Sequence, residues 1–204
     1  MKKISILTFL LLSILGFAQR KNKKALDITS NLEGKFVLSK AIGDNNLGKN
    51  YKSFYGFGVG GQLMTPIQWG LGLDYTLQFS DAKYGRENYV GNLGSTTLTS
   101  VDLYILHKSD HGEDFHLEKS IGYTYYNMSS SIYPSKDIHT EGKGGINAGL
   151  KGIFTLDREE RQQFTLGLKA HYYQAGVYNE NKDIQKFYNK SFLIGLHFGY
   201  RYNF

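Results

Sequence analysis

His107 and Ser109 are spaced as a base and a nucleophile could be, and Glu118 follows downstream. A histidine next to a serine hydroxyl can act as a general base, with a third group orienting it. The residues around the pair are rich in Asp, Gly and His, which is typical of a solvated turn. We therefore predict no catalytic residue here, and we predict that the protein is not an enzyme.

The same segment is dense in groups that bind divalent cations, since imidazole and carboxylate are both metal ligands. The candidates are His107, Asp110, His111, Glu113, Asp114 and His116. A turn that alternates charge with histidine usually binds nothing specific. We therefore predict no metal site and no cofactor.

Other charged residues recur at alternating positions of strand-like segments, opposite apolar neighbours. Charges that leave water must pair with one another. We predict that they form a polar network filling the interior of the fold, and the alternative is a narrow charged pathway for ions or small solutes. The predicted interior residues are Glu33, Lys35, Asp74, Asp102, Glu118, Lys151, Lys169, His171, His197 and Arg201.

The composition indicates what kind of scaffold carries these charges. The chain has 204 residues with 24 Gly, 16 Tyr, 13 Phe and no Cys. This suits one domain of many strands joined by tight turns. The lack of cysteine excludes disulfides, thiolate chemistry and a lipid-modified cysteine. The net charge of +6 is not gathered into a dense basic stripe, so we predict no nucleic-acid partner.

The first residues resemble a secretory signal peptide. Lys2 and Lys3 precede an apolar run that ends in Gly16, Phe17 and Ala18, and the run is short for a membrane-spanning helix. We predict a signal peptide at 1–18, a polar leader at 19–25 and a single barrel domain at 26–204.

Eight segments alternate apolar and polar residues at period two, which is typical of β-strands with one apolar face. The third is the most regular, with Trp69, Leu71 and Leu73 on one face and Asp74 on the other. In the fifth, Lys119 interrupts the apolar face, which predicts either a bulge or a lysine extended toward an interface. The predicted strands are 26–39, 54–65, 69–79, 97–106, 115–127, 144–156, 163–175 and 190–204.

The connections alternate between long and short, so both termini are expected on the side of the short turns. This predicts an all-β fold, an eight-stranded antiparallel up-and-down barrel that spans a membrane. Aromatic girdles are expected at both ends. The predicted long-loop girdle comprises Tyr51, Tyr55, Tyr84, Tyr89, Tyr125, Tyr126, Tyr172, Tyr173 and Tyr188; the other comprises Trp69, Phe115, Phe154, Tyr202 and Phe204. A soluble lipocalin-like barrel, with the apolar face inside, is the rival fold.

The chain ends on Tyr200, Tyr202 and Phe204, three aromatic residues on one face. This ending, with the strand rhythm of 26–204, resembles the small OmpA/OmpX-like barrels and the outer membrane protein β-barrel domain family. The resemblance implies a bacterial outer-membrane location with periplasmic termini. It also implies a terminal assembly signal for the barrel-assembly machinery and contact with periplasmic chaperones.

The resemblance specifies a fold and a location, while function must come from particular sites. It implies a structural or partner-binding barrel that acts through its extracellular loops; the extracellular partner is not indicated. The expected neighbours are outer-membrane lipids and lipopolysaccharide, whose phosphates Lys40, Lys49 and Lys52 could contact. The alternatives are a porin-like channel and a lipid-modifying enzyme, since lipid A deacylases on this fold use a His-x-Ser pair.

Overall fold

The computed structural model describes residues 28–85, 93–112, 114–132, 138–174 and 180–204. The predicted signal peptide and leader lie outside these ranges. The strands are β1 (Thr29–Ile42), β2 (Phe54–Met64), β3 (Trp69–Ser80), β4 (Leu93–Asp110), β5 (Phe115–Ile132), β6 (Ile138–Thr155), β7 (Gln162–Gln174) and β8 (Lys190–Asn203). Two short helices, α1 (Asn46–Asn50) and α2 (Lys182–Asn189), lie in the connections before β2 and β8. Neither is long and apolar enough to cross a membrane.

The eight strands form a closed antiparallel barrel in which each strand pairs with the next. Closure comes from β8 pairing with β1, so that Phe36 has Phe57 on one side and Phe198 on the other. Closure leaves no unpaired strand edge, which a barrel in lipid requires. The fold predicted from the sequence is confirmed.

The wall of the barrel separates an apolar outside from a polar inside. On β3, Leu71, Leu73 and Tyr75 are 53, 54 and 46% exposed on the outer face, whereas Asp74 between them is 4% exposed and points inward. An apolar outer band around a polar interior is the arrangement of transmembrane β-barrels. A lipocalin-like barrel needs the reverse, so that alternative is wrong.

Several predicted strand boundaries are wrong, because the strands extend beyond the residues that alternate regularly between apolar and polar. β4, β5 and β6 each span 18 residues. The connection between β5 and β6 therefore narrows to 133–137, and the segment from His107 to Asp110 belongs to β4 rather than to a turn. Lys119 is exposed on the outer face, and the pairing of β5 runs through it without a register shift. The prediction of a bulge at Lys119 is therefore wrong.

The two ends of the barrel differ in their connections. We call the end with 65–68, 111–114 and 156–161 the turn end; both Thr29 and Phe204 lie there. The other, the loop end, carries 43–53, 81–92, 133–137 and 175–189. Residues 86–92, 133–137 and 175–179, with Tyr89 of the predicted girdle, lie outside the described part of the chain.

Candidate functional site

The charged residues of the lumen form two groups at different depths. Strands expose alternate residues to each side of the wall, so every inward charge enters a space enclosed by eight strands. The group nearer the turn end, here the turn-side cluster, contains Glu33, Glu118, Lys151 and Arg201. The deeper group, here the central cluster, contains Lys35, Asp74, Asp102, Lys169 and His171. All of the predicted interior residues, His197 among them, face inward.

The turn-side cluster braces the lumen across its width. Arg201 Nη2 donates to Glu33 Oε2 at 2.7 Å and to Glu118 Oε2 at 3.1 Å, so one guanidinium joins β1, β5 and β8. Lys151 Nζ lies 2.8 Å from Glu33 Oε2 and 3.5 Å from Glu118 Oε1. Each carboxylate therefore meets both cations. Fork-shaped guanidinium contacts of this kind hold carboxylates in a fixed orientation.

In the central cluster, a lysine lies between two carboxylates that the strand register places side by side. Asp74 and Asp102 stand directly opposite one another on β3 and β4, where like charges repel. Lys169 reaches between them, with Nζ 3.1 Å from Asp74 Oδ2 and 2.6 Å from Asp102 Oδ2. Lys35 adds a second cation 2.6 Å from Asp74 Oδ2, and His171 Nε2 lies 3.1 Å from Asp102 Oδ2.

Uncharged side chains connect the two clusters. Gln62 Nε2 donates to Glu118 Oε1 at 2.9 Å and to the Tyr104 hydroxyl oxygen at 3.2 Å. The Tyr104 hydroxyl in turn donates to Asp74 Oδ1 at 3.1 Å. The Lys169 ammonium also lies 4.5 Å above the Tyr104 ring. Gln62 and Tyr104 were not among the predicted interior residues, although both fall on the polar faces of their strands.

Each cluster balances its charge, with two carboxylates against two basic side chains of Lys or Arg. Packing between the two clusters is close: the cavity bordered by Lys35, Asp74 and Lys169 of one and by Glu118 and Lys151 of the other has a volume of about 20 Å³. This is about the space of one water molecule. His197 is buried, and its Nε2 has no hydrogen-bond partner among the described residues. The lumen at this depth is filled by side chains.

Above the charges, apolar side chains pack together at the loop end of the lumen, and we call this group the loop-end plug. It contains Ala41, Leu47, Tyr51, Phe54, Leu98, Tyr126, Met128, Tyr173 and Leu193. The Tyr126 and Tyr173 rings lie 4.2 Å apart, and Tyr173 stacks on His171 at 5.5 Å. Tyr51, Tyr126 and Tyr173 are thus inside the barrel. Their assignment to the outer girdle is wrong.

Helix α1 carries Leu47 into the plug. Gly43 has a φ of +97°, a conformation that suits glycine, and Asn45 Oδ1 then accepts from the Gly48 amide at 2.9 Å to cap the helix. The neighbouring connection holds α1 in place, because Lys83 Nζ donates to Gly48 O at 2.6 Å and the Lys83 amide to Asn50 O at 2.7 Å. The plug is therefore built from strands and from one connection, and the next connection holds that one in place.

The turn end is open. A cavity of about 830 Å³, here the vestibule, is bordered by residues that include Asn31, Lys108, Arg158, Arg161, Gln163 and Arg201. Asn31, Gln163 and Arg201 are buried at its inner wall. The vestibule therefore ends at Arg201. Glu33 and Glu118, which Arg201 holds, are each 3% exposed, and the central cluster and the plug lie deeper in the lumen.

The serine, histidine and carboxylate considered for catalysis do not come together. His107 and Ser109 occupy outward positions of β4, while Glu118 points into the lumen. The His107 ring lies 5.0 Å from that of Trp69, and the Ser109 hydroxyl donates to Leu117 O at 3.2 Å. Of the residues considered for a metal, Glu113 lies outside the described part of the chain, and His116 Nδ1 lies 2.7 Å from Asp110 Oδ1. Among the described residues, no three His, Asp or Glu side chains lie close enough to share a metal ion.

The C-terminal aromatic residues lie on the outer face of the wall. Tyr200, Tyr202 and Phe204 are 48, 37 and 76% exposed. The Phe204 amide donates to Ser30 O at 2.9 Å, which ties the end of the chain to β1. The three side chains therefore present one exposed aromatic strip at the turn end.

Several solved outer-membrane proteins share this architecture. A major outer membrane protein of Thermus thermophilus has a TM-score of 0.62 at 13% identity, covering 87% of this chain and all of the other. Neisserial surface protein A has a TM-score of 0.59 at 15% identity, and the match covers 86% of this chain and 97% of the other. Ail of Yersinia pestis, solved with the heparin analogue sucrose octasulfate, has a TM-score of 0.56 at 11% identity, and the match covers 87% of this chain and 99% of the other. No family model and no curated protein match the sequence. The chain therefore has the fold of the small eight-stranded outer-membrane barrels.

Proposed function

We propose that this protein is a non-enzymatic outer-membrane barrel with a closed lumen, which acts structurally or binds a partner or ligand through its loop end. The observation that carries the proposal is the filled interior. Two charge-balanced clusters and an apolar plug occupy the lumen in succession, and the cavity between the two clusters has a volume of about 20 Å³.

Opening a continuous water path would require breaking these contacts. Removing one partner of a buried ion pair costs about 3–5 kcal/mol, because the other charge remains buried. In the turn-side cluster, Arg201 and Lys151 each hold two carboxylates, so displacing either leaves both Glu33 and Glu118 short of a cation. A closed barrel is therefore the stable state.

In the proposed orientation, the turn end and both termini face the periplasm and the loop end faces outward. The exposed strip of Tyr200, Tyr202 and Phe204 then serves as the assembly signal for the barrel-assembly machinery, after delivery by periplasmic chaperones. Short turns on the periplasmic side and longer loops outside are the usual layout of such barrels.

The loop end suits an anionic partner. Among the described side chains it carries eight lysines against four carboxylates, Asp44, Asp81, Glu180 and Asp183. The turn end carries four basic residues, Lys108, Lys119, Arg158 and Arg161, against five carboxylates. The loop-end lysines are Lys40, Lys49, Lys52, Lys83, Lys143, Lys182, Lys186 and Lys190. A surface with such a surplus of positive charge attracts anions. Lipopolysaccharide and anionic polymers are both anionic partners of this kind.

The proposal is tested by fractionation and protease access in intact cells that express the protein. One tag is inserted at Gly112 in the turn after β4, and another just before Glu180 in the connection after β7. Recovery in the outer membrane with cleavage of the second tag alone is the expected result. A soluble periplasmic protein, or cleavage of the first tag alone, would contradict the proposal.

A narrow channel is the second candidate, and the vestibule favours it. This cavity of about 830 Å³ brings water to Arg201, so a path would need only to extend past the clusters and the plug. Conductance of the refolded protein separates the two candidates.

A further inference from the structure

Helix α2 carries one basic and one apolar face at the loop end. Residues four apart lie together on a helix, so Lys182 and Lys186 share a face. Ile184, Phe187 and Tyr188 occupy the other. Ile184 is 44% exposed, while Phe187 and Tyr188 are half-buried with their rings 5.2 Å apart. The helix leaves part of its apolar face uncovered beside a row of cations.

This helix runs directly into the outer wall. Lys190 opens β8 and is exposed at an outward position, and Phe192 and Ile194 follow it on the same face at 39 and 38% exposure. Lys40 of β1 stands beside Ile194 and also faces outward. Lysines and apolar side chains thus alternate along a continuous surface from α2 down to the apolar band.

We propose that α2 and the adjoining ends of β8 and β1 form a binding surface for phosphorylated lipid headgroups of the outer leaflet. Lys182, Lys186 and Lys190 contact the phosphates, and Ile184 enters the acyl region. Basic amphipathic helices lie in a membrane interface in this way, and long lysine side chains keep their charge at the headgroups. The inference rests on the proposed function, because it requires the loop end to face outward.

The arrangement favours a lipid over a soluble polyanion. A polyanion in solution could pair with the lysines, but it would leave Ile184 uncovered. A lipid surface supplies both the phosphate and the hydrocarbon, and the lysines lie where the apolar wall ends. Glu180 and Asp183 lie at the start of α2, where a negative charge favours the helix N-terminus.

The first test is a charge swap at three positions. The variant K182E/K186E/K190E is compared with K108E/R158E/R161E, which makes the same change at the turn end. Each protein is refolded in detergent micelles, and diphosphoryl lipid A is titrated while binding is followed by native mass spectrometry. Basic residues near an anionic membrane surface contribute roughly additively to the binding free energy, and salt screens their attraction to the phosphates. The first variant should bind at least about tenfold more weakly at low salt, and the control should stay within about twofold.

The second test measures insertion. The chain has no cysteine, so Ile184→Cys carries a single environment-sensitive fluorophore, with Asp44→Cys as the exposed control. Spin-labelled phospholipids should quench the label at 184 and not at 44, in phosphatidylcholine liposomes that contain diphosphoryl lipid A. Heat-modified gel migration shows whether the barrel has formed.

Three outcomes would overturn the inference. One is equal loss of lipid A binding in both charge-swap variants, and another is a label at 184 that stays in water. The third is tight binding of heparin, in place of lipid A, which depends on the same lysines; that result assigns the surface to a soluble polyanion. In each case a folded barrel in the membrane leaves the proposed function standing, whereas failure to form a barrel in liposomes contradicts the proposed function first.

Discussion

The two charged clusters and the loop-end plug fill the same lumen by opposite means. The clusters use ion pairs that cross the barrel, such as Lys151 of β6 with Glu33 of β1 at 2.8 Å. The plug uses apolar and aromatic contacts, and Leu47 reaches it from a helix outside the strands. The comparison shows that strand register fixes the charged part, whereas connections between strands complete the apolar part.

The difference has an energetic consequence. A carboxylate that loses its cation in the clusters stays buried in the folded barrel, so removing one cation should lower the stability of the whole fold. A connection such as 43–53 can open locally while the strands stay paired. The clusters should therefore control global unfolding, and the plug should control local opening.

Replacing Arg201 is expected to have the largest effect. Arg201→Ala leaves Glu33 and Glu118 buried with Lys151 as their remaining cation, and should lower the free energy of unfolding by about 3–5 kcal/mol. Urea unfolding of the refolded protein in liposomes measures it. Arg161→Ala is the control, because Arg161 is exposed and pairs with Glu159 at 3.0 Å; it should cost about 0–1 kcal/mol. Equal losses would show that the lumen contacts are no stronger than surface ones.

A glycine pair tests how tightly the charged part is packed. Gly60 faces inward, where an added Cβ would overlap Asp74 Oδ1, whereas Gly34 faces outward with nothing within 4 Å. Gly60→Ala should destabilise the barrel by about 1–3 kcal/mol through overpacking. Gly34→Ala should be neutral. If both are tolerated in the same unfolding assay, the lumen has spare room and the closed interior is in doubt.

Cutting the link between the clusters should have a smaller effect. Tyr104→Phe removes the hydroxyl that joins Gln62 to Asp74, at an expected cost of about 1–2 kcal/mol. Tyr75→Phe is the control because Tyr75 lies on the outer face, 46% exposed. A loss no greater for Tyr104 than for Tyr75 would mean that the clusters are independent.

Trimming the plug should have the smallest global effect. Leu47→Ala should leave the free energy of unfolding nearly unchanged and speed hydrogen exchange of the Lys52 and Lys83 amides about tenfold, since these bond Asp81 O and Asn50 O across the two connections. Hydrogen exchange with mass spectrometry measures both effects. A global loss as large as that of Arg201→Ala would contradict the division between the two regions.

The charged part was largely predictable from the sequence, and its pairing was not. Alternation along each strand placed Asp74, Asp102 and Lys169 inside, because the wall separates hydrocarbon from a polar lumen. Strand order, register and tilt together determine which of these charged side chains contact one another. The contact between Lys169 and both aspartates crosses from β7 to β3 and β4, and no local pattern encodes it.

The plug was missed for a different reason. Leu47 lies in a segment rich in Gly, Asn and Lys, which is typical of an exposed loop. Its burial depends on α1 folding back over the barrel mouth. Tyr126 and Tyr173, by contrast, fall at inward positions of their strands. Strict use of the period-two rule would have placed them inside rather than in the girdle.

Conductance across a planar bilayer tests the central claim most directly. The wild-type protein, refolded and inserted, should show no stable conductance step in monovalent salt, since the clusters and the plug close the lumen in series. Leu47→Ala should remain closed as well, because the clusters lie below the plug. Large, stable steps from the wild-type barrel would contradict the closed lumen and establish the channel.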